Sequence, residues 1–388
     1  GHDWTSREIH NYLEYNSETR CVEYDTGDHY GYAPGITAAL TEKGTVKLFT
    51  GSKEIHRPGN ILVLDHEKRN APAVFINQSR NIDISSMDIY GSSAMALIAQ
   101  LSADIGIDGL RVMPQPGSGF MVSASADATH FVNCSGKLLM QNCVFEGQMD
   151  DATNVHGIYT TVEEILSPGL IVLRLNHIQQ YGIKYLRRGD RIEFSETKSL
   201  MPVACGVVED CRLIGDMFLL TRVSMITGDV RKGMAAENAT TSADVHIANC
   251  IVGKNRARGF LISTRGDVLI EKCELSPGGA GILVAGDANY WYESGRVSKL
   301  VIRDNVFVNC RRYIHWGRAV ISIDPVIQES ADNEYYHTNI SILNNHFVLT
   351  DKAVLFARDT HGLVFKENTF EMTCDYPLRL IDGPAVHL

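Results

Sequence analysis

Apolar and polar residues alternate over strand-length runs along most of this chain. Each run closes on an Asn or Cys, with another apolar residue one or two places on. The pattern recurs in 81–90 (NIDISSMDIY), 137–146 (KLLMQNCVFE), 244–251 (DVHIANCI), 267–275 (DVLIEKCEL), 299–308 (KLVIRDNVFV), 339–348 (NISILNNHFV) and 362–371 (GLVFKENTFE). With the Asn or Cys as register mark, the copies fall at Met87 (the weakest), Cys143, Cys250, Cys273, Asn305, Asn345 and Asn368. The shortest intervals, 250 to 273 and 345 to 368, are both 23 residues. Short strands at such a period, without helical periodicity, predict a right-handed parallel β-helix in which every coil adds one strand to each of several parallel sheets. Asn at the turns can then stack into side-chain ladders. A leucine-rich repeat would need a fixed leucine spacing, which is absent.

Two stretches break the period. The larger carries alternating runs at Leu170–Leu175 and Arg191–Phe194 with Gly-Asp turns at 189–190 and 228–229, which predicts a small inserted antiparallel β-barrel. The smaller, Thr45 to Ile76, alternates only in part and is either a second barrel-like insertion, at about 43–76, or an early coil. The expected organisation is therefore all-β: an N-terminal part of the β-helix at 1–159, an inserted barrel-like domain at 160–234, and the C-terminal part of the β-helix at 235–388. A helix is expected only at Thr5–Leu13, where Glu8 follows Thr5 at capping-box spacing.

Composition narrows the partners. Of 388 residues 44% are hydrophobic and 21% charged, an ordinary folded-protein balance. A net charge of −10 lacks the basic stripe that nucleic acid requires. No apolar run approaches the roughly 18 residues of a membrane span, and the Gly-His-Asp-Trp start of this chain has no signal-peptide h-region. No nucleic-acid or membrane partner is expected. The nine Cys include no CxxC pair, and Cys134, Cys143, Cys250, Cys273 and Cys310 sit in apolar-alternating segments, so they are expected to be small buried hydrophobes.

The repeat also places candidate chemistry. From Asp127 to Asp150 is 23 residues, one coil, so the two are expected at equivalent positions on neighbouring coils, with Asp151 alongside in the polar stretch 148–157 (QMDDATNVHG). Crowded carboxylates cannot all ionise cheaply, so at least one pKa rises and an acid stands beside a base. Glycoside hydrolysis needs that pairing. In the same register Arg256 and Arg258, in 254–259 (KNRARG), flank the equivalent of Asp150 and are expected to hold sugar hydroxyls or orient carboxylates. Gly278, Gly279 and Gly281 one coil on would leave room for a ligand. Trp291 and Tyr292, in 289–293 (NYWYE), are candidates to stack on a sugar ring, Glu293, Glu237 and Asn238 to bind hydroxyls, and His156 to support the aspartates. No cofactor and no metal site is expected.

These residues resemble glycoside hydrolase family 110, inverting exo-α-1,3-galactosidases that remove terminal α-galactose from blood-group-B and related glycans. The resemblance rests on 125–134 (SADATHFVNC), 148–157 (QMDDATNVHG) and 254–260 (KNRARGF). It implies that Asp127, Asp150 and Asp151 match the family's acidic trio, with Asp150 as general acid and Asp127 and Asp151 activating water. It further implies a galactose-terminated oligosaccharide or glycoconjugate as partner and a secreted or periplasmic bacterial setting. The oligomeric state stays open, with a homodimer one option. The alternatives are a polygalacturonase-like hydrolase of acidic polysaccharide, for which Lys254, Arg256 and Arg258 would supply positive charge, and a non-catalytic carbohydrate-binding β-helix.

Overall fold

A column of left-handed residues divides each repeat copy into two strands. Ser86, Gly109, Asn142, Asn249, Lys272, Asp304, Asn344 and Glu367 all have φ between 51° and 71°, and each separates a strand of one sheet from a strand of the next. The conformation favours Gly and Asn. Asn side chains add support: Asn142 Nδ2 donates to Asp108 Oδ1 at 2.7 Å, and Asn344 Nδ2 to Asp304 Oδ1 at 2.6 Å. The repeat copies, of strand length in sequence, are thus strand–bend–strand units.

These features are seen in a computed structural model that describes residues 11–24, 26–28, 37–42, 44–49, 56–65, 69–313, 316–332, 334–350 and 352–377. The units stack as a parallel β-helix. Its first sheet runs from Arg80–Ser85 to Thr360–Lys366, its second from Asp88–Ile89 to Thr369–Met372, and its third from Val74–Asn77 to Leu355–Ala357. Ala103–Asp108 and Arg111–Val112 form a coil that the Asn/Cys register passes over, because Leu110 stands at the mark; its carbonyl accepts Val144 N–H as Cys143 accepts Ile251 N–H. Inward side chains stack coil on coil, as in the column Ile107, Met140, Ile247, Ile270, Ile302 and Ile342, all buried. Each such aliphatic side chain contributes about 1.5–3 kcal/mol by leaving water.

The register marks form the expected ladder. Asn305 Nδ2 donates to Asn345 Oδ1, and Asn345 Nδ2 to Asn368 Oδ1, both at 3.0 Å, while Cys273 N–H donates to Asn305 Oδ1 at 2.9 Å. Cys134, Cys143, Cys250, Cys273 and Cys310 are buried and free.

The large interruption is a closed antiparallel barrel. Strands Leu170–Arg174, Phe218–Thr227, Pro202–Ile214, Arg191–Ser195 and Ala235–Asn238 pair in that order, and the far half of Thr153–Ser167 closes the ring. That 15-residue strand is continuous with the β-helix: Thr153–His156 pair with the third sheet before Tyr159–Thr161 pair with the barrel. The barrel is therefore seated directly after the aspartate loop.

The N-terminal region behaves differently from expectation. Asn11–Tyr15 is a strand, antiparallel to Ile61–Asp65, so no helix reaches Leu13; residues 5–10 lie outside the described residues. Alternating Tyr and Leu in a buried site favour extended backbone, and Leu13 and Tyr15 pack against Met121, Met149 and Tyr313. Thr45–Phe49 pairs with Thr37–Glu42, again antiparallel, and the first strand in a parallel sheet is Val74–Asn77.

The ladder has a measurable weight. Asn345→Ala strands the Asn305 backbone N–H and the Ile302 carbonyl in a buried site. Urea unfolding is expected to show a loss of about 2–4 kcal/mol, against well under 1 kcal/mol for an exposed alanine substitution.

Candidate active site

The aspartates lie in the bends that lead into two neighbouring strands of the third sheet. Those strands, Thr129–Val132 and Thr153–His156, are held in register by Thr129 opposite Thr153, 24 residues apart. Asp127 therefore stands level with Asp151, not with Asp150 as a 23-residue coil would have it. The 24-residue offset holds on both sides of the bend, since Ala124 is bridged to Gln148 before it as Thr129 is paired with Thr153 after it. Asp150 therefore stands level with Ala126 and is the least buried of the trio: its side chain is 17% exposed, against 5% for Asp127 and 1% for Asp151. One carboxylate oxygen of each aspartate lies within 4.8 Å of the others.

The loop carbonyls are fully engaged. Arg256 N–H donates to Gln148 O, Arg256 Nη1 to Met149 O and Asn255 Nδ2 to Asp150 O, at 2.9, 2.9 and 3.1 Å. Met149 is buried against Tyr15 and Tyr313.

Each carboxyl has its own electrostatic setting. Asp151 accepts Arg258 Nε and N–H on Oδ1 at 2.8 and 2.9 Å, and Arg258 Nη2 on Oδ2 at 2.7 Å. Burial nevertheless pushes Asp151 up to about 7, with Asp150 repelling it. Burial and the neighbouring Asp150 push Asp127 up to about 8. Burial works on Asp150 as well, but Arg69, Arg256 and Arg258 outweigh it and hold this carboxyl below the ordinary range. Arg69 Nη2 donates directly to Asp150 Oδ2. The trio thus separates into one stable anion and two groups that keep protons near neutrality. Positive charge comes from Arg69 and Arg258, so the trio is not assigned as a metal site.

Both arginines of the KNRARG segment lie here, in different roles. Arg256 is buried, with its fork closed on Asp28 at 3.0 and 2.6 Å, so it braces the loop from behind. Trp316 lies across both guanidiniums, 4.8 and 5.0 Å from ring centroid to Arg256 and Arg258, and donates Nε1–H to Asp28. That ring segment also occupies the space beside Gly279, where an added Cβ would meet Trp316 at 2.6 Å; beside Gly281 it would meet Phe307. The glycines make room for packing, not for a ligand.

Behind Asp127 stand two histidines. Asp127 Oδ2 lies 2.6 Å from His130 Nδ1, His130 Nε2 lies 2.9 Å from His156 Nε2, and His156 Nδ1 lies 2.6 Å from the Gly157 carbonyl. Glu293 Oε1 lies 3.6 Å from His156 Nε2 and accepts Asn154 Nδ2 at 3.1 Å. Trp291 is exposed and 5.3 Å from His177 of the barrel. Tyr292 instead packs with Tyr159 and Tyr336, its backbone carbonyl accepting Gln180 Nε2. Glu237 and Asn238 are buried away from the trio: Glu237 binds Arg265 and Tyr159, and Asn238 binds Asp190, Tyr185 O and the N–H groups of Thr240 and Thr241. Arg69, His130, Asn154, Asp28, Trp316 and His177 complete the site beyond the residues expected from sequence. His130 and Asn154 had a signal, since DATH at 127–130 returns as DATN at 151–154.

Two family models match the chain: GLAA-B beta-barrel domain II over residues 170–233 and right handed beta helix region over 235–387. Curated relatives cover most of it. An alpha-1,3-galactosidase B of Bacteroides thetaiotaomicron is 34% identical over 364 residues, 92% of this chain and 59% of the relative. An alpha-1,3-galactosidase A of Shewanella woodyi is 32% identical over 384 residues, 98% and 62%. An alpha-1,3-galactosidase B of Akkermansia muciniphila is 36% identical over 317 residues, 80% and 40%. The chain spans about six tenths or less of the length of these relatives.

The raised carboxyls tie stability to pH. Unfolded, Asp127 and Asp151 titrate near 3.8; folded, near 8 and 7. Between those values the folded state holds the extra protons, so their contribution is fully present below pH 4 and is lost as pH rises toward 8, at up to about 1.4 kcal/mol per unit per group. Urea midpoints are expected to fall from pH 5 to pH 8, and Asp127→Asn to flatten that fall. An equal slope in Asp127→Asn would assign the effect elsewhere.

Proposed function

We propose, starting from a chain that belongs to glycoside hydrolase family 110, the family of the α-1,3-galactosidases, that this protein hydrolyses terminal α-1,3-linked galactose from glycans. The carrying observation is the trio of carboxyls, drawn from adjacent coils, whose surroundings push their proton affinities apart. Acid–base cleavage of a glycosidic bond needs groups so differentiated. Blood-group-B type and linear α-1,3-galactosides are the proposed substrates, with Trp291 and His177 at the mouth of the site as the aromatic surface for a sugar beyond the terminal galactose.

In the proposed reaction Asp150, the most exposed of the three, protonates the leaving oxygen. Asp127 and Asp151 hold and deprotonate the attacking water, giving inversion. The resting charge distribution runs the other way, with Asp150 ionised against Arg69 and Asp127 holding a proton. Arrival of the sugar must therefore displace Arg69 from Asp150, and the proton that Asp151 holds near neutrality must pass to that carboxylate, leaving Asp151 ionised against Arg258. Arg258, locked on Asp151, stays in place. A uronate substrate is disfavoured, because Lys254 is paired with Glu146, Arg256 with Asp28 and Arg258 with Asp151.

One observation favours a retaining mechanism as second reading: the nearest carboxylate oxygens lie within 4.8 Å, tighter than the roughly 6.5–9.5 Å of most inverting pairs. Proton NMR of the first product from an α-1,3-galactoside separates the two. First-formed β-galactose is expected, and first-formed α-galactose would overturn inversion.

The residue assignment has its own test. Asp127→Asn, Asp150→Asn and Asp151→Asn are each expected to lower kcat on α-1,3-galactobiose by at least about 100-fold while the circular dichroism spectrum is kept. Near-normal turnover in any one removes that residue from the scheme. Turnover of polygalacturonate in place of the galactobiose would sink the substrate assignment.

A further inference from the structure

The contacts behind Asp127 fix where protons can sit. A carbonyl oxygen only accepts, so His156 carries a proton on Nδ1, facing Gly157 O at 2.6 Å. A neutral His156 then presents a bare Nε2, and His130 must donate to it from its own Nε2 across 2.9 Å. A neutral His130 in turn presents a bare Nδ1 to Asp127 Oδ2 at 2.6 Å, a contact that closes only if Asp127 holds the proton. Removing that proton leaves two lone pairs facing each other somewhere along the row. The row is therefore complete with one proton beyond two neutral imidazoles and a carboxylate.

We propose that His130 and His156 form a two-histidine proton relay behind Asp127, which draws off the resident proton of this carboxyl and so lets it act as the base. The proposal rests on the reading of Asp127 as a water-activating group. The transfer balances without any added reagent. The proton on Asp127 Oδ2 moves to His130 Nδ1, and the proton on His130 Nε2 moves to His156 Nε2. Asp127 becomes a carboxylate that accepts from His130 Nδ1–H. His156 becomes an imidazolium that donates to His130 Nε2 and to Gly157 O. Its charge then stands 3.6 Å from Glu293 Oε1. The histidines touch no reacting atom and are positioning residues.

The charged groups around the row favour both ends. Asp150 and Asp151 from the aspartate loop, Arg69 from the N-terminal segment and Arg258 from the next coil act on Asp127; Glu293 from the inter-coil loop and Asp151 act on the histidines, with His177 of the barrel further out. Burial pushes both histidines below the ordinary imidazole range, with Glu293 pulling them up. The resting proton accordingly lies at the Asp127 end, and Glu293 makes the His156 end accessible.

The test uses His130→Gln and His156→Gln in the full chain, with circular dichroism to confirm folding. With the relay interrupted, Asp127 keeps its proton to higher pH. The acid limb of the kcat profile on α-1,3-galactobiose is expected to move up by about one unit. kcat is expected to fall roughly 10- to 100-fold while KM stays within about threefold. An unchanged acid limb in both variants overturns the relay. A second readout is independent of turnover: nitrogen-15 NMR of labelled histidines, comparing the unmodified protein with Asp127→Asn. In the unmodified protein His130 is expected to pass from Nε2–H to Nδ1–H as the pH rises through about 8 and Asp127 gives up its proton. The amide of the variant instead donates to His130 Nδ1 and holds His130 on Nε2 and His156 on Nδ1 at every pH. A His130 tautomer that responds to pH alike in both proteins overturns the relay even if the glutamine variants cannot be folded. Loss of the galactosidase reading with these NMR changes intact would sink the proposed function and leave the proton row standing.

Discussion

Two carboxyl groups buried one above the other at the edge of a parallel sheet are the constraint to which the rest of this molecule answers. Asp127 and Asp151 sit in successive coils with side chains almost wholly out of water. A buried anion left without a partner costs several kcal/mol, and repulsion between neighbours adds to it. The fold meets that cost by two different routes. Asp151 is held by a guanidinium fork and a backbone N–H from the next coil, all of Arg258. Among the described residues Asp127 has no such fork; it accepts Asp151 N–H at 3.2 Å, faces His130 Nδ1, and keeps its proton to higher pH than Asp151 does.

Much of the surrounding architecture secures the arginines. Arg256 lies two residues before Arg258 and holds the loop carbonyl of Met149, and is itself held by Asp28 from the N-terminal segment under the ring of Trp316. Three distant stretches of chain therefore converge to fix one fork. The barrel is anchored in a similar manner. Arg265 of the β-helix reaches Glu193 and Glu237 on two adjacent barrel strands, and Tyr159 of the shared strand adds a hydroxyl to Glu237. With Thr153–Ser167 running unbroken from one sheet into the barrel, His177 of the barrel is brought against Trp291 of the inter-coil loop.

The coil and the trio were legible in the chain because each has a local cause: stacked apolar positions, Asn and Cys at the bend, and carboxylates one coil apart. What escaped had distant causes. Arg69, Asp28 and Trp316 meet the trio only through tertiary folding, and no spacing announces them. The coil at Ala103–Val112 was passed over because Leu110 fills the slot that other coils give to Asn or Cys; a small buried side chain suffices there, and an apolar one packs as well. Glu237 and Asn238 show the reverse case. Polar residues at the end of an insertion resemble ligands for a substrate, yet here they bind Arg265 and Asp190 where two domains join.

The one-residue error in register shows most about how the site is made. A uniform 23-residue coil aligns Asp127 with Asp150, but the repeated tetrads DATH and DATN align it with Asp151, and the sheet follows the tetrads. Within that alignment Thr129 and Thr153 bond to each other, while His130 and Asn154 occupy the same slot in adjacent coils. The slot points both side chains toward the row of polar groups, and the two residue types divide the work. His130 bridges Asp127 to His156, which only a group with two ring nitrogens on opposite sides can do. Asn154, shorter and without a titrating group, fixes Glu293 beside His156. Asp150 falls in the slot that Ala126 fills in the preceding coil and is the most exposed of the trio, where Arg69 meets it and where a substrate could reach it. A stack that repeats its backbone so closely can thus place an inner proton row and an outer acid within a few ångströms, by setting an aspartate in one coil where the preceding coil has Ala126.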